Sequence, residues 1–240
     1  MKIENPSLVT PLMETRSVGR GCEVTLPIAG GGSFSVRRVY CIGANYSAHA
    51  EEMEINVDPA LPFFFMKPTD AVVPNGSKIP YPPMTNDYQH EVELVIAIGA
   101  AGCNIAVSEA RQHIFGYAVG LDMTRRDVQF AAKDRGLPWD MAKGSDYSAP
   151  CGEITPAKSC DDLTEAEIRL DVNGRNRQLS SLGNVTWTAE EVIHWLSQYV
   201  AIKPGDLIYT GSPEGVAPVN RGDVISASIA GLSPLTVFIT

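Results

Sequence analysis

Residues 88–98 read Tyr-Gln-His-Glu-Val-Glu-Leu-Val-Ile-Ala-Ile, a polar start followed by an apolar run. The part from Glu91 to Ile98 has the length and composition of a buried β-strand. Glu91 and Glu93 are two residues apart, so their side chains leave the same face of a strand, about 7 Å apart along the chain. Two carboxylates on one face repel each other, and we therefore expect a neutralising group beside them.

Apolar runs of the same kind recur on both sides of this stretch and predict a strand-rich chain. Asn173-Gly174 follows one of them and is the strongest short signal for a β-hairpin. Because strands and helices do not alternate strictly, we predict an α+β fold that is β-rich, with a mixed folded β-sheet and a few short helices. The other expected strands are 39–42, 63–66, 117–121, 168–172, 206–210, 224–229 and 235–239.

Helical signals are fewer than strand signals. Thr188 and Glu191 have the spacing of a capping box, which predicts the start of an amphipathic helix. Residues 108–115 and 125–134 predict two short helices that flank the strand 117–121.

Composition limits the classes of partner. The chain has 240 residues and a formal net charge of -9, which argues against nucleic acid or an anionic membrane surface as a partner. No apolar run approaches the roughly 18 residues of a membrane-spanning helix, and the first residues lack a secretory or transit signal. The five cysteines have no CxxC spacing, which predicts reduced thiols in a cytoplasmic protein.

A third acid, Asp122, ends the predicted strand 117–121. If the fold brings it to Glu91 and Glu93, three carboxylates without a cysteine ligand form a hard site that suits Mg²⁺ or Mn²⁺ better than Zn²⁺. The spacing by itself does not pair Asp122 with the two glutamates. A solvated face of an edge strand is the simpler origin of two glutamates at this spacing, and it remains an alternative.

The segment 45–53 contains a candidate base. If this segment is helical, His49 and Glu52 are neighbours one turn apart. A carboxylate beside an imidazole fixes its tautomer and raises its basicity, which suits the activation of water near neutral pH. A capped surface helix with a solvated histidine is the alternative.

A third polar stretch, residues 122–144, contains cationic and amide side chains. Arg126 and Gln129 are one helical turn apart, and Lys143 follows. Near a divalent cation, these groups would suit a small anion that has a carboxylate and neighbouring carbonyls. Charged side chains on a surface helix are the alternative.

Taken together, these segments resemble the fumarylacetoacetate hydrolase family, and within it the acylpyruvate hydrolase branch. Six motifs occur in the same order from residue 40 to the C-terminal region, so the match does not depend on any single one of them. They are residues 40–46 with His49 and Glu52, then 64–68, 90–94, 116–129, 139–143 and 205–216.

The resemblance implies a folded sheet roll of the type found in the C-terminal domain of that family. It implies a catalytic domain at 39–240 and an N-terminal extension at 1–38, either a hairpin or an arm. It also implies a homodimer that takes a small-molecule substrate, and a lid segment that carries His49 and Glu52. The implied Mg²⁺ or Mn²⁺ ligands are Glu91, Glu93 and Asp122.

The activity that the resemblance implies is hydrolysis of a carbon–carbon bond in a 2,4-dioxo acid, an acylpyruvate. The expected substrate is fumarylpyruvate from gentisate-type aromatic catabolism. Decarboxylation of oxaloacetate or isomerisation of an unsaturated oxo acid at the same site is the alternative. Ala44 stands where many relatives have arginine, which leaves the anchor of the substrate open. The implied catalytic residues are His49, Glu52 and Lys143, and the implied substrate-binding residues are Lys67, Arg126, Gln129, Thr210 and Ser212.

Overall fold

The computed structural model describes residues 23–53 and 61–240. The α-helices within these ranges are α1 Ser47–Glu52, α2 Arg126–Asp134, α3 Asp140–Lys143 and α4 Ala189–Tyr199. Short 3₁₀ helices cover Thr69–Ala71, Val107–His113, Ala157–Ser159 and Leu182–Asn184. The strands are β1 Thr25–Pro27, β2 Ser33–Ser35, β3 Arg38–Ile42, β4 Phe64–Lys67, β5 Val72–Val73, β6 Lys78–Ile79, β7 Tyr88–Gln89, β8 Val92–Ile98, β9 Ile114–Leu121, β10 Thr124–Arg125, β11 Ala149–Pro150, β12 Thr155–Pro156, β13 Glu167–Val172, β14 Arg175–Ser181, β15 Asp206–Tyr209, β16 Val224–Ile229 and β17 Leu235–Ile239.

Two large sheets organise the described chain. One has the strand order β12-β9-β8-β15-β3-β4, and the other has the order β14-β13-β16-β17-β6. The pairs β15–β3 and β17–β6 are parallel, whereas the other pairs within these two sheets are antiparallel. The predicted β-rich α+β fold with a mixed folded sheet is therefore confirmed.

Strand β8 lies in the middle of the first sheet and contributes to three cores. Leu94 packs in the core between the two large sheets, together with side chains of β13, β16 and β17. Val95 packs on the other face, with the β1–β2 hairpin. Ile96 and Ile98 pack against α4. Because β8 is buried on both faces, its sequence is a continuous apolar run rather than an alternating one.

Local sequence signals correctly predicted one hairpin turn and the start of one helix. Asn173 and Gly174 both have positive φ angles, 52° and 73°, and they connect β13 to β14. This is the backbone conformation that a two-residue hairpin loop with matching twist requires. Thr188 and Glu191 form both bonds of a capping box at the start of α4.

The helix expected at 108–115 is wrong in type and extent. The structure has a 3₁₀ helix at Val107–His113, and β9 already begins at Ile114. Ile114 pairs with Ile98 of β8, and this long-range pairing outweighs the local helical pattern. The helix expected at 125–134 begins one residue later, because Arg125 pairs with Tyr88 in the short sheet of β10 and β7.

The predicted N-terminal extension, residues 1–38, lies partly outside the described residues. Its described part contains the β1–β2 hairpin, which buries Leu26 and Phe34 against the main body. None of the helices in the described ranges has the length and apolar character needed to cross a membrane.

Candidate active site

The register between β8 and β9 brings three acids together. Val92 pairs with Leu121, so Glu91 lies one residue before β8 and Asp122 one residue after β9. The backbone N–H of Asp122 donates to the carbonyl oxygen of Glu91 over 2.8 Å. Ligand oxygens of Glu91, Glu93 and Asp122 lie within 4.8 Å of one another, and all three residues are buried. The alternative of a solvated edge strand is therefore wrong.

Glu91 is held by two cationic side chains. Its Oε2 accepts from Lys143 Nζ over 2.8 Å, and its Oε1 accepts from the guanidinium of Arg126. Burial by itself would raise the pKa of Glu91, but the positive charges of Lys143 and Arg126 outweigh burial and hold that pKa below its usual range. Glu91 is thus an ionised carboxylate inside the protein.

Glu93 lies in a different environment. Its Oε2 accepts from the backbone N–H of Gly211 over 2.6 Å, and none of the ion pairs in the described chain includes it. Burial, together with the negative charges of Asp122 and Glu91, raises the pKa of Glu93 well above its usual value. The site therefore lacks positive charge at Glu93.

Asp122 is held from two sides. Lys143 Nζ donates to its Oδ2 over 2.9 Å, and Lys67 Nζ lies 2.7 Å from its Oδ1. Burial would lower the pKa of Lys143, but Asp122 and Glu91 raise it, so Lys143 is a charged ammonium.

The three acids fit a hard divalent cation. They offer only carboxylate oxygens, the ligand type that Mg²⁺ and Mn²⁺ prefer. They also lie close enough together to share one ion. A cation between them would supply the positive charge that Glu93 lacks, which accounts for three buried acids in one place.

Helix α1 places the candidate base beside the acids. His49 Nδ1 and Glu52 Oε2 are 3.1 Å apart, and His49 is 5% exposed. Because a carboxylate can only accept, Nδ1 carries the proton in the neutral ring, and Nε2 carries the lone pair. Glu52 also accepts from the backbone N–H of Gly215 over 3.0 Å, which ties α1 to the loop after β15. The predicted pairing of His49 with Glu52 is present in the structure.

Arg126 and Gln129 are neighbours on α2, as their spacing predicts. The Arg126 guanidinium donates to Gln129 Oε1 over 2.5 Å and to Gln89 Oε1 over 2.9 Å, in addition to Glu91. Gln129 Oε1 is therefore occupied as an acceptor, and its amide nitrogen is the end that can donate to a ligand.

The two lysines of the site are committed to protein groups. The three N–H groups of Lys143 are matched by Glu91, Asp122 and Thr124 Oγ1, the last over 2.8 Å. Lys67 contacts Asp122 and two backbone carbonyl groups. Both lysines therefore stabilise the acid cluster, and the three N–H donors of each are directed at protein groups.

Most of the predicted site residues line one pocket. Ser212 is among its lining side chains, whereas Lys67 lies behind Asp122 and is not. Thr210 is absent from this pocket as well; its hydroxyl donates to the carbonyl oxygen of Leu94 over 2.9 Å, and it lines a separate cavity of about 460 Å³. The predicted residues that line the pocket are His49, Glu91, Glu93, Asp122, Arg126, Gln129, Lys143 and Ser212.

An aromatic wall, formed by Phe63, Phe65 and Trp139, also lines this pocket and was not predicted as part of the site. The rings of Phe63 and Trp139 meet edge to face, with centroids 5.7 Å apart. Gly43 allows this wall to approach closely, because a Cβ at Gly43 would lie 2.0 Å from the Phe63 ring. Phe65 and Trp139 belong to the motifs 64–68 and 139–143. That their rings point into the pocket depends on tertiary packing, which the motifs do not reveal.

Comparison with known proteins identifies the family of this chain. Residues 38–240 match the family model described as fumarylacetoacetate (FAA) hydrolase C-terminal. The chain is 42% identical over 175 residues to a fumarylpyruvate hydrolase of a Ralstonia species, an alignment that covers 73% of this chain and 91% of that protein. It is 40% identical over 196 residues to an oxaloacetate tautomerase of Arabidopsis thaliana, which covers 82% and 87% of the two chains.

A solved structure with the same fold is the fumarylpyruvate hydrolase of Pseudomonas aeruginosa in complex with Mn²⁺ and pyruvate. It superimposes with a TM-score of 0.89 at 44% identity, over 93% of this chain and 98% of that chain. With a family model that spans most of the sequence and relatives of this similarity, the chain belongs to the fumarylacetoacetate hydrolase family.

Proposed function

We propose that the protein is a metal-dependent hydrolase of acylpyruvates, with fumarylpyruvate as its substrate and fumarate and pyruvate as its products. The observation that carries this proposal is that one pocket is lined by the buried acids Glu91, Glu93 and Asp122 and by His49, which is paired with Glu52. Similarity to two fumarylpyruvate hydrolases supports the choice of substrate.

The three acids would hold Mg²⁺ or Mn²⁺. Bound there, the ion would supply Lewis-acid chemistry, because it spreads the negative charge that develops on an oxo acid during bond cleavage. The Mn²⁺ in the similar hydrolase from Pseudomonas aeruginosa supports this assignment.

His49 would activate the water. Its Nε2 lone pair accepts a proton from water while Glu52 stabilises the resulting imidazolium at Nδ1. The hydroxide then attacks the C4 carbonyl of the 2,4-dioxo acid. Cleavage of the C3–C4 bond releases the carboxylic acid and the enolate of pyruvate, and the proton held by His49 returns to C3.

Gln129 is the best placed donor for the oxyanion that forms at C4. Its amide nitrogen is available because Arg126 occupies its oxygen. Lys143, the third implied catalytic residue, is the other candidate donor, but it would first have to release Glu91, Asp122 or Thr124. Arg126 and Ser212 would orient the oxo acid. Lys67 would act indirectly through Asp122, and Thr210 through its bond to the carbonyl oxygen of Leu94.

A second reaction on the same site is decarboxylation or tautomerisation of oxaloacetate. Relatives named oxaloacetate tautomerase and oxaloacetate decarboxylase, at 40% and 38% identity, favour it as an alternative. Neither reaction requires a hydrolytic water. The His49–Glu52 pair therefore favours hydrolysis as the first proposal.

We further propose that the protein acts as a cytoplasmic homodimer in gentisate-type aromatic catabolism. The family resemblance supports the homodimer, and the five cysteines without CxxC spacing, which indicate reduced thiols, support the cytoplasmic location. Sedimentation velocity of the purified chain would test the dimer.

The substrate assignment can be tested with three substrates. Purified protein with Mg²⁺ receives fumarylpyruvate, acetylpyruvate or oxaloacetate separately, and loss of enol absorbance is followed together with the products. We expect the fastest turnover with fumarylpyruvate, yielding pyruvate and fumarate in equal amounts. Faster turnover of oxaloacetate, without hydrolysis of either acylpyruvate, would favour the second reaction instead.

Two acid variants test the metal site in the same assay. Glu91→Ala and Asp122→Ala should abolish metal-dependent turnover while circular dichroism remains that of a folded protein, because each removes a ligand of the ion. Glu109 is an exposed acid outside this pocket, and Glu109→Ala should therefore retain full activity. Undiminished turnover in both ligand variants would contradict the proposed metal site.

A further inference from the structure

Gln178 is a buried residue in a strand that is otherwise largely exposed. It lies on β14, the edge strand of the second large sheet, and its exposed fraction is 0%. Its neighbour Leu179 is 49% exposed. A glutamine is seldom fully buried unless its amide is completely hydrogen-bonded.

Both ends of the Gln178 amide are occupied. Its Oε1 accepts from the backbone N–H of Val92 over 3.2 Å and lies 3.0 Å from His90 Nδ1. Its Nε2 donates to the carbonyl oxygen of Pro213 over 2.7 Å and to Ser212 Oγ over 2.8 Å. A backbone N–H can only donate and a carbonyl can only accept, so the orientation of the amide is determined by its backbone partners.

This orientation constrains the hydroxyl of Ser212, which lines the pocket beside the acids. Because the hydroxyl oxygen accepts from Gln178, its own proton must point elsewhere. The carbonyl oxygen of Pro213 is 3.4 Å from Ser212 Oγ and already accepts a shorter bond from Gln178. The Ser212 proton is therefore weakly held by the protein and available to a ligand in the pocket.

We propose that Gln178 is a positioning residue that directs the Ser212 hydroxyl to donate its proton to an oxygen of the bound oxo acid. This inference rests on the proposed function, since it requires an oxo acid in the pocket. Gln178 lies on a different sheet from the acids. Its Nε2 reaches the site through Ser212 and the loop after β15, whereas its Oε1 holds the backbone of Val92, between Glu91 and Glu93. The donated N–H also polarises the hydroxyl, which strengthens the bond that the hydroxyl makes to an anion.

Pyruvate is the probe that isolates this contact, because it has the oxo-acid group and no scissile bond. Its dissociation constant is measured by calorimetry on the Mg²⁺-loaded full chain. Ser212→Ala should weaken pyruvate binding by about 10- to 100-fold, the usual worth of a hydrogen bond to a charged group. Ser212→Thr retains the hydroxyl and should stay close to wild type.

Two variants of Gln178 then test the positioning role. Gln178→Glu has the same shape and still accepts from Val92. Its carboxylate cannot donate to Pro213, and it attracts the Ser212 proton away from the pocket. Gln178→Leu removes the amide altogether, and it serves as the second variant if the first does not fold. In both, pyruvate binding should weaken by about tenfold, with a rise in KM that exceeds the fall in kcat.

A double variant separates positioning from a merely structural role. In the Ser212→Ala background, the neutral change Gln178→Leu should alter pyruvate affinity less than about twofold, because residues that act through one contact are not additive. Mn²⁺ affinity measured without pyruvate should remain at the wild-type value in the Ser212 variants and in Gln178→Leu, which add no charge. Leu179→Ala, on the opposite face of the same strand, is the matched control and should bind pyruvate as wild type does.

The outcomes distinguish the two proposals. If wild-type protein with Mg²⁺ does not bind pyruvate, the proposed function fails. If wild type binds and Ser212→Ala weakens binding, but both Gln178 variants keep wild-type affinity, only the positioning role is overturned. It is also overturned if the Gln178 effect persists undiminished without the Ser212 hydroxyl.

Discussion

The acid cluster at the start of β8 and the helix α1 meet at one pocket, but their side chains lie in opposite environments. Glu91, Glu93 and Asp122 are 4%, 1% and 0% exposed, and they lie where the ladder of two central strands ends. Helix α1 has only six residues, and the side chain of Glu52 is 33% exposed.

Because of these environments, the two parts respond differently to substitution. In the acid cluster, each carboxylate depends on neighbouring groups for its charge, so loss of one partner leaves another charge buried and uncompensated. In α1, the His49–Glu52 pair is linked to the loop after β15 through Gly215. A substitution in this pair leaves no buried charge of the acid cluster without its partner. We therefore expect changes in α1 to affect turnover, and changes in the cluster to affect stability and metal dependence.

His49→Ala tests the α1 side of this comparison and has the largest expected effect on kcat outside the metal ligands. It should lower kcat by roughly 10²–10⁴-fold, the usual worth of a general base. Mn²⁺ affinity and the unfolding free energy should change little, because His49 does not belong to the acid cluster. Steady-state kinetics and a Mn²⁺ titration check this expectation. Full activity in the variant would refute the role of His49 in water activation.

Lys143→Met tests the cluster side through stability. The change leaves Glu91 and Asp122 without the ammonium between them, so the unfolding free energy of metal-free protein should fall by about 3–5 kcal/mol. Mg²⁺ should restore more stability to this variant than to wild type, because the ion replaces the missing positive charge.

Urea unfolding with and without Mg²⁺ measures both effects. The exposed Lys203 is the matched control, and Lys203→Met should change stability by less than about 0.5 kcal/mol. Equal loss in both lysine variants would contradict a buried charge cluster.

Glu93→Gln has the smallest expected effect and separates Glu93 from Glu91 within the acid cluster. Burial, together with the negative charges of Asp122 and Glu91, raises the pKa of Glu93, so the folded metal-free protein keeps this proton to a higher pH than the unfolded chain does. Its contribution to stability should therefore fall as pH rises above the ordinary value of 4.5. Glutamine does not titrate and still accepts from Gly211.

The measurement is the unfolding free energy of both proteins in chelator between about pH 5 and pH 8. The stability of Glu93→Gln relative to wild type should increase with pH over this window. Glu91 has the opposite sign, because Lys143 and Arg126 lower its pKa against the effect of burial, and its stabilisation is lost only as pH falls below 4.5. A pH-independent difference would contradict the raised pKa of Glu93.

Residues close in sequence could be paired correctly before the fold was known. Glu91 and Glu93 share a face because side chains alternate along a strand, and His49 and Glu52 meet because they are one helical turn apart. Both relations appear in the structure. The turn at Asn173-Gly174 likewise depends only on which residues tolerate positive φ angles.

Relations across distant segments could not be obtained in this way. Asp122 joins the two glutamates only because β8 and β9 pair in one register. The helix predicted at 108–115 gives way to the same pairing, and Thr210 turns out of the pocket to donate to Leu94. Gln178 lies in a polar segment that carries no signal of burial, yet it reaches Ser212 from the other sheet.

The amino-acid sequence by itself thus determined the strand-rich class, the local pairs and, through the resemblance, the family. Tertiary structure alone decided which carboxylates share a cation, which donors are free and which side chains reach the pocket. The physical reason is that local geometry follows from the spacing of a few neighbouring residues, whereas strand register and burial are set by contacts between residues far apart in the chain.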